Sequence, residues 1–473
     1  MVSRLSLAIQ YSITVLRGHR RIGSGSRKAV LWTIGFHLVF ALTYLGVSFY
    51  TTHNPKSNVF TFWYYAALVE LIIHSLHARL SSTLSFLGTH LTERLNLLTL
   101  IILGEGIIII TKKVAVLVEN TWIKGNETSW SPALIGTIAS AAGLAYIIFQ
   151  LYFDWMHEDG GSNLTTHILW ILFHMPFHIS LVLLVEGGNQ FIVWRRAIEA
   201  IDAASATLEG AAFGFQQIDD TKAIVDRIKE PVMSLLDAYK PSDEVTTLRT
   251  VNDAFSDMET IPNEFWSMYE QLSANQPVKR RWLDDISKVI SAVFNGINNS
   301  FEITDTDDNL LSSPDNDFIS VVKDNGYGKL QDDFGFRSVE SDAYIATTEK
   351  FRVVFVYTFV CAGLVLALLV ALHLLSKRQR WTHFNTFKTT FSFMIALLLS
   401  VISLLSLSTD ALTRALMFPW QLPVIAVSYF IALVLTHIRQ PSHIFLAKLR
   451  GNWVKMKDPK PTTEKEKDSS NFV

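Results

Sequence analysis

The stretch VFVYTFVCAGLVLALLVAL, residues 354–372, decides the fold class because it contains no charged side chain. The hydrocarbon core of a bilayer is about 30 Å thick, so a helix needs roughly 20 apolar residues to cross it. Every backbone polar group must be paired inside lipid, which makes a helix the conformation expected for such a run. Cys361, within this run, is the single cysteine of the chain. Neither an internal disulfide nor a cysteine-based metal site is therefore predicted.

Similar apolar runs recur along the chain and predict an all-α, polytopic transmembrane helical bundle with an extramembrane helical insertion. Eight runs are long enough to span a bilayer, and they lie near 29–50, 59–78, 95–116, 132–154, 165–187, 351–375, 387–408 and 417–438. A shorter apolar stretch from Leu5 to Leu16 is interpreted as a ninth span. Arg17 and Arg20 follow that stretch rather than precede it, so it lacks the pattern of a cleaved signal peptide.

Charge divides the chain into parts of different character. The net charge is −2, yet residues 188–350 hold 29 acidic and 15 basic side chains, whereas the rest of the 473 residues hold 14 and 26. The basic residues outside 188–350 lie beside apolar runs, which excludes a nucleic-acid binder working through overall positive charge. Four regions are predicted: an N-terminal membrane bundle of about six spans (1–187), an acidic extramembrane segment (188–350), three C-terminal spans (351–438) and a basic, polar cytoplasmic tail (439–473).

The acidic segment is predicted to form a helical subdomain outside the membrane. From about 191 to 299, apolar residues recur three and four apart, as in AIVDRIKEPVMSLLDAY (223–239). From about 302 to 343 the sequence becomes acidic and polar, which is typical of a flexible segment. This segment is the candidate surface for a protein partner, and the lipid bilayer is the partner expected for the spans.

The distribution of Lys and Arg predicts the orientation, since short cytoplasmic loops are enriched in both. The loops 17–28 and 376–388 and the C-terminal tail are basic and are assigned to the cytoplasm. The N-terminus and 188–350 then lie on the non-cytoplasmic side of a membrane whose organelle the sequence does not specify. Asn126 and Asn298 begin glycosylation sequons in non-cytoplasmic segments, so a glycoprotein is expected.

Glu105, in the stretch THLTERLNLLTLIILGEGI (89–107), lies about halfway along the apolar run 95–116 and is a candidate functional charge. An ionisable residue at the centre of a spanning helix costs roughly 2.5–3.5 kcal/mol unless it is paired or solvated. Gly104 and Gly106 flank it and would let another helix approach closely, so both are assigned to helix packing. A functional polar track and a helix-packing carboxylate are equally supported interpretations.

A second group, the cytoplasmic-end motif, lies at the start of the same stretch. His90, Glu93 and Arg94 are spaced three and four apart, so they share one helix face and can pair. Arg94 could hold a phosphate while Glu93 or His90 moves a proton, as a lipid-directed enzyme would require. An interfacial ion pair is the alternative.

Two further groups place histidines inside spans. Glu70 and His74 are four apart in the third span, with His77 following, and fit a proton relay or an interfacial helix end. In the sixth span, His174 and His178 are also four apart. That spacing can hold a metal only with further ligands, so hydrogen bonding between helices is favoured. His37, alone in the second span, is interpreted as a packing histidine.

These groups are expected to form one ion or proton pathway made of Glu70, His74, Glu105, His174 and His178. The sequence contains no Walker P-loop, GxGxxG, HExxH, GxSxG or CxxC motif. No catalytic residue, metal site or cofactor is therefore predicted, and whether the chain is an enzyme stays open, with an enzyme the less favoured of the classes.

The 89–107 stretch, with His90, Glu93, Arg94, Gly104 and Glu105, resembles the low temperature requirement A family of multi-pass membrane proteins. FHMPFH, residues 173–178, supports the resemblance, which covers roughly 1–190 and, more loosely, the three final spans. The long central insertion is similar to that of fungal members. Family members usually begin with further spans, including a phenylalanine-rich segment, so an N-terminally shortened chain is expected. The resemblance implies an integral membrane protein and supplies no reaction or substrate.

Transport is the leading hypothesis, because polar residues at mid-membrane depth often mark ion or substrate pathways. The transported species would be protons, other cations or a small solute. A membrane enzyme acting on lipid-linked substrates and a non-catalytic scaffold or sensor are the alternatives. Transport is placed before the two alternatives on the class of the protein rather than on a specific motif.

Overall fold

The computed structural model describes residues 2–17, 23–53, 58–81, 84, 89–118, 130–156, 164–212, 220–269, 276–301, 336–376 and 382–438. Helices dominate these ranges, and no strand occurs among them. The all-α prediction is therefore confirmed. The C-terminal tail (439–473), the sequon at Asn126 and most of the acidic stretch from 302 lie outside the described residues.

The first three helices form a unit at the N-terminal end. They are α1 (Val2–Arg17), α2 (Ser24–His53) and α3 (Thr61–Leu80), with a short 3₁₀ turn at Asn58–Phe60 before α3. Helix α1 packs along α2, α2 contacts α3, and α3 touches α6. This arrangement brings polar residues of all three helices to one place.

The next three helices pack on one another, and α6 is much longer than a bilayer core is thick. They are α4 (Leu91–Val118), α5 (Pro132–Trp155) and α6 (Leu164–Ala212). At 49 residues, α6 is about 74 Å long, more than twice the thickness of a hydrocarbon core. Position 188, where the charge pattern changes, therefore lies inside a continuous helix.

The extramembrane bundle consists of the far end of α6 with α7 (Thr221–Ala238), α8 (Glu244–Met258), α9 (Glu264–Met268) and α10 (Pro277–Ser300). Each of α7, α8 and α10 buries an apolar stripe, and these stripes join one core. Thr221 accepts a 2.7 Å hydrogen bond from Trp266 Nε1 and donates one of 3.0 Å to the Ile261 carbonyl. The predicted helical pattern between 191 and 299 thus corresponds to packed helices.

The C-terminal helices return to the membrane part. They are α11 (Phe336–Ser376), α12 (His383–Ile402), a 3₁₀ segment (Ser403–Leu407), α13 (Thr409–Met417) and α14 (Gln421–His437). Helix α11 begins at Phe336, so part of the stretch expected to be irregular is helical. Tyr429 of α14 donates a 2.6 Å hydrogen bond to the Ala362 carbonyl of α11.

The number of spans is lower than the sequence predicts. Among the described residues six helices are long and apolar enough to cross a membrane, or seven if α13 and α14, bent by 78°, count as one broken span. Eight or nine were expected. Helix α1 has only 16 residues, and α3 contains Glu70, His74 and His77, which lower its hydropathy. The residues 409–416, which lie between the predicted spans 387–408 and 417–438, belong to α13.

The second sequon does not support glycosylation in the folded state. Asn298 is only 3% exposed within α10, and Asn299 donates a hydrogen bond to the Lys240 carbonyl. A glycan on Asn298 would have to displace the neighbouring helices. The expected glycoprotein then depends on Asn126, which the structure does not describe.

Two glycines let long helices approach closely. A Cβ added to Gly187 of α6 would overlap the Thr358 side chain of α11. One added to Gly363 of α11 would overlap the Ser400 side chain and the Ala396 carbonyl oxygen of α12. The second contact is with backbone, which cannot move aside without shifting α12. These positions fix the distance between the helices around α11.

We expect Gly363→Ala to lower stability by about 1–3 kcal/mol, because overpacking of a tight contact forces backbone shifts. Gly143 of α5 faces open space, so Gly143→Ala should instead raise stability, by up to about 1 kcal/mol, through helix propensity. Thermal unfolding of the purified protein in detergent measures both. Equal shifts in the two variants would contradict the close approach of α11 and α12.

Candidate functional site

Glu70 is the centre of a polar cluster formed by the first three helices. It lies midway along α3, so about 15 Å of helix separates it from either end. The residue is only 5% exposed. A carboxylate at that depth is costly unless other groups pair with it. The structure supplies these groups from α1 and α2.

Arg4 of α1 pairs with Glu70, its Nε lying 2.6 Å from Glu70 Oε1. Tyr44 of α2 donates a 3.2 Å hydrogen bond to the other carboxylate oxygen, Oε2. The Arg4 side chain is 32% exposed, whereas that of Glu70 is 6% exposed. The ion pair therefore links a buried acid to a more accessible base.

Two histidines face the same carboxylate oxygen. His37 Nδ1 lies 3.9 Å and His74 Nε2 lies 3.8 Å from Glu70 Oε1. The two rings stack with their centroids 4.6 Å apart. Tyr11 of α1 stacks on the other side of the His37 ring at 5.8 Å. The rings are thus held by packing, with one nitrogen of each directed at Glu70.

Both of these nitrogens are buried and make no hydrogen bond among the described residues. A buried polar group without a partner costs roughly 1–3 kcal/mol. The ligand atoms of His37, Glu70 and His74 lie within 4.8 Å of one another, close enough for a shared cation. We call these three residues the Glu70 site.

His77, one turn from His74, belongs to a different contact. Its Nε2 lies 3.0 Å from the Ala29 carbonyl oxygen of α2. A carbonyl can only accept, so this nitrogen carries the proton. His77 therefore joins α2 to α3 through a satisfied hydrogen bond.

The histidines of the sixth span form a separate network. His174 is fully buried, with Nδ1 2.8 Å from the Trp170 carbonyl oxygen and Nε2 3.0 Å from the Tyr152 hydroxyl. The same hydroxyl lies 2.8 Å from Asn96 Oδ1. These bonds join α4, α5 and α6 and leave neither ring nitrogen of His174 available.

His178 is held in the same way. Its Nε2 lies 2.8 Å from Thr99 Oγ1 of α4, and that hydroxyl donates to the Leu95 carbonyl at 3.1 Å. Because the hydroxyl proton is used there, His178 Nε2 is the donor to Thr99. The pair His174 and His178 thus acts in hydrogen bonding between helices, the interpretation that the sequence favours.

Glu105 does not join either cluster. It is exposed on α4 and makes no hydrogen bond or ion pair within the described part of the chain. Gly106 beside it packs against Val185 of α6, whereas Gly104 faces open space. The structure therefore does not bring Glu70, Glu105 and the histidine pair together. The single pathway expected from the sequence is replaced by the Glu70 site and a separate hydrogen-bonded network.

The cytoplasmic-end motif forms an exposed pair. His90 Nδ1 lies 2.9 Å from Glu93 Oε2, and their side chains are 82% and 72% exposed. Arg94 is also exposed and uses its backbone N–H to bond the His90 carbonyl. Exposed ion pairs contribute little to stability. The three residues share a helix end without enclosing a site.

The sequence did not indicate three members of the Glu70 environment. His37 was interpreted as a packing histidine, and Arg4 and Tyr44 were not selected. One histidine in an apolar run has no spacing pattern, so its alignment with Glu70 depends on how α2 rotates against α3. Arg4 carried one usable signal, since a charge near an apolar helix needs a partner.

We expect Thr99→Val to destabilise the protein by about 1–3 kcal/mol, because it leaves the buried His178 N–H without an acceptor. Thr111 on the same helix is exposed and bonds only its own helix, to the Ile107 carbonyl. Thr111→Val should change stability by less than about 0.5 kcal/mol. Thermal unfolding in detergent compares them. Similar losses in both variants would contradict the role of the Thr99 bond.

Comparison with known proteins identifies the region that contains both clusters. The family model described as bacterial low temperature requirement A protein (LtrA) matches residues 1–217. Searches of curated proteins and of solved structures gave no match. The matched residues include α1 to α6, with the Glu70 site and the His174 network. The resemblance predicted from the sequence is therefore confirmed: residues 1–217 of this multi-pass membrane protein match the low temperature requirement A family.

Proposed function

We propose that this membrane protein transports a cation and that the Glu70 site is where the cation binds during passage. The observation that carries the proposal is a carboxylate only 5% exposed, halfway along α3, faced by two histidine nitrogens without hydrogen-bond partners. Ionisable residues enclosed between the helices of membrane proteins commonly mark ion or substrate pathways. A purely structural carboxylate would not need two unpartnered ring nitrogens beside it.

The Arg4 contact provides a means of controlling occupancy. An Arg guanidinium neutralises Glu70 when no other cation is bound, which lowers the cost of the buried charge. A cation arriving at the site would compete with Arg4 for Glu70 Oε1. Because the Arg4 side chain is 32% exposed, displacement of Arg4 would not leave its charge fully buried within the protein.

The other candidate functions receive less support from the geometry. A lipid-directed enzyme would require His90, Glu93 and Arg94 to surround a substrate, and all three are exposed. The scaffold hypothesis relies on the extramembrane bundle, whose apolar stripes are buried in its own core. Among the described residues, neither combines a buried carboxylate with two histidine nitrogens that make no hydrogen bond.

The proposal predicts that Glu70→Gln abolishes cation flux into proteoliposomes, because the neutral amide cannot replace the charge that attracts the cation. Glu105→Gln is the matched control: it removes a second mid-helix carboxylate that lies outside the cluster, and flux should remain within about twofold of the wild-type rate. Fluorescent indicators for H⁺, K⁺ and Zn²⁺ report the transported ion. Loss of flux in Glu105→Gln with retention in Glu70→Gln would reverse the assignment.

We further propose the orientation in which the N-terminus and the extramembrane bundle are non-cytoplasmic, supported by the basic loops 17–28 and 376–388. The only natural cysteine, Cys361, is buried, so single introduced cysteines can report topology. Ser242→Cys, in an exposed position of the bundle, should react with a membrane-impermeant maleimide supplied only to the non-cytoplasmic side of sealed membranes. His383→Cys, exposed at the start of α12, should react only after permeabilisation. The opposite pattern would invert the topology.

A further inference from the structure

We propose that the Glu70 site binds a divalent first-row transition metal ion, with Zn²⁺ as the representative, through His37 Nδ1, His74 Nε2 and Glu70 Oε1. This inference rests on the proposed function and names the class of cation that the site would take. Two nitrogens and one carboxylate oxygen from three residues on two helices form the set. No metal site was expected from the sequence, because the His37 ligand was not identified there.

The donor set selects the class of ion. Imidazole nitrogens favour zinc, copper, nickel and iron, whereas calcium and magnesium prefer oxygen ligands. The site offers two ring nitrogens and a single carboxylate, so alkaline-earth ions are disfavoured. Three protein ligands leave a fourth position open, as in zinc sites that exchange water or substrate.

The distances are close to those of a loaded site. Zinc bonds of about 2.0–2.2 Å to nitrogen and oxygen place neighbouring tetrahedral ligands about 3.3–3.5 Å apart. The carboxylate oxygen lies 3.9 Å from His37 Nδ1 and 3.8 Å from His74 Nε2. Each of these separations would have to shorten by only about 0.5 Å. The two nitrogens lie within 4.8 Å of each other, so a tetrahedral site would bring them closer by up to about 1.4 Å.

The two histidine nitrogens are also available as metal ligands. Both are buried and without a hydrogen-bond partner in the part of the chain that the structure describes, and the His37 residue is 6% exposed. A buried imidazole that serves only packing usually bonds a carbonyl or hydroxyl, as His77, His174 and His178 do. A bound metal would satisfy both free nitrogens at once.

Arg4 provides a test of the metal site because it competes with the metal for one of the three ligands. Its Nε lies 2.6 Å from Glu70 Oε1, the oxygen that faces both histidines. The guanidinium therefore pairs with the same carboxylate oxygen that would bind the metal. Removing that competitor should strengthen metal binding. An effect of that sign would not result from loss of structure.

The test uses the full chain, purified in detergent and stripped of metal with a chelator. Titration with Zn²⁺, followed by calorimetry, should show one equivalent bound. His37→Ala and His74→Ala should each weaken binding by about tenfold or more, since even outer-shell changes cost that much. Arg4→Gln should tighten it several-fold. His53→Ala is the control: His53 is exposed at the end of α2 and bonds only its own helix, to the Phe49 carbonyl, so its affinity should equal that of the wild type.

Gel filtration and thermal unfolding check that each variant is folded. Absence of zinc binding by the folded wild type would overturn the inference. Equal affinity in wild type, His37→Ala and His74→Ala would also overturn it, because zinc would then occupy another site, such as the exposed His90 and Glu93 pair. Weaker binding in Arg4→Gln would contradict the competition between guanidinium and metal.

The outcomes separate this inference from the proposed function. Glu70-dependent flux of H⁺ or K⁺ by a protein that binds no zinc would refute the metal site and leave cation transport standing. Zinc binding at the three ligands without flux of any cation would support the metal site and refute transport.

Discussion

The ion pair between Arg4 and Glu70 is the interaction on which the first three helices depend. A carboxylate at mid-helix cannot be left alone in an apolar environment, and a permanently charged partner must come from another helix because α3 has no Lys or Arg within one turn of Glu70. Arg4 and Tyr44 bind the two carboxylate oxygens, and the histidine rings stack against one another beside them. The polar centre thereby determines how α1 and α2 lie against α3.

The rest of the membrane part is held by interactions of a different kind. Helices α4, α5 and α6 share hydrogen bonds through Tyr152, His174 and Thr99, in which each histidine is satisfied. Helix α11 packs closely on α6 and α12 at Gly187 and Gly363. The two groups differ in what they can do. The hydrogen-bonded network of His174 and His178 makes the helices rigid, whereas the Glu70 site retains two nitrogens that can bind a cation.

Apolar runs predicted the helices well, because hydrogen bonding in lipid leaves few alternatives. The apolar runs did not predict helix length. Helix α6 continues through the change in charge at position 188, because only one face of it needs to be apolar within the extramembrane bundle. The burial of the sequon residue Asn298 could not be predicted from the sequence either, because it depends on the packing of α10. Glu105 was placed at mid-membrane by its position in the sequence, but the direction of its side chain depends on how α4 rotates against α5 and α6.

The central claim is that His37, Glu70 and His74 form one cation site, and X-ray absorption at the zinc edge tests it most directly. The full chain loaded with one equivalent of Zn²⁺ should give a first shell of nitrogen and oxygen at about 2.0–2.2 Å with the outer-shell scattering of two imidazoles. His37→Ala should lose one imidazole from that signal. A shell of oxygen alone, or an imidazole signal unchanged in His37→Ala, would contradict the account.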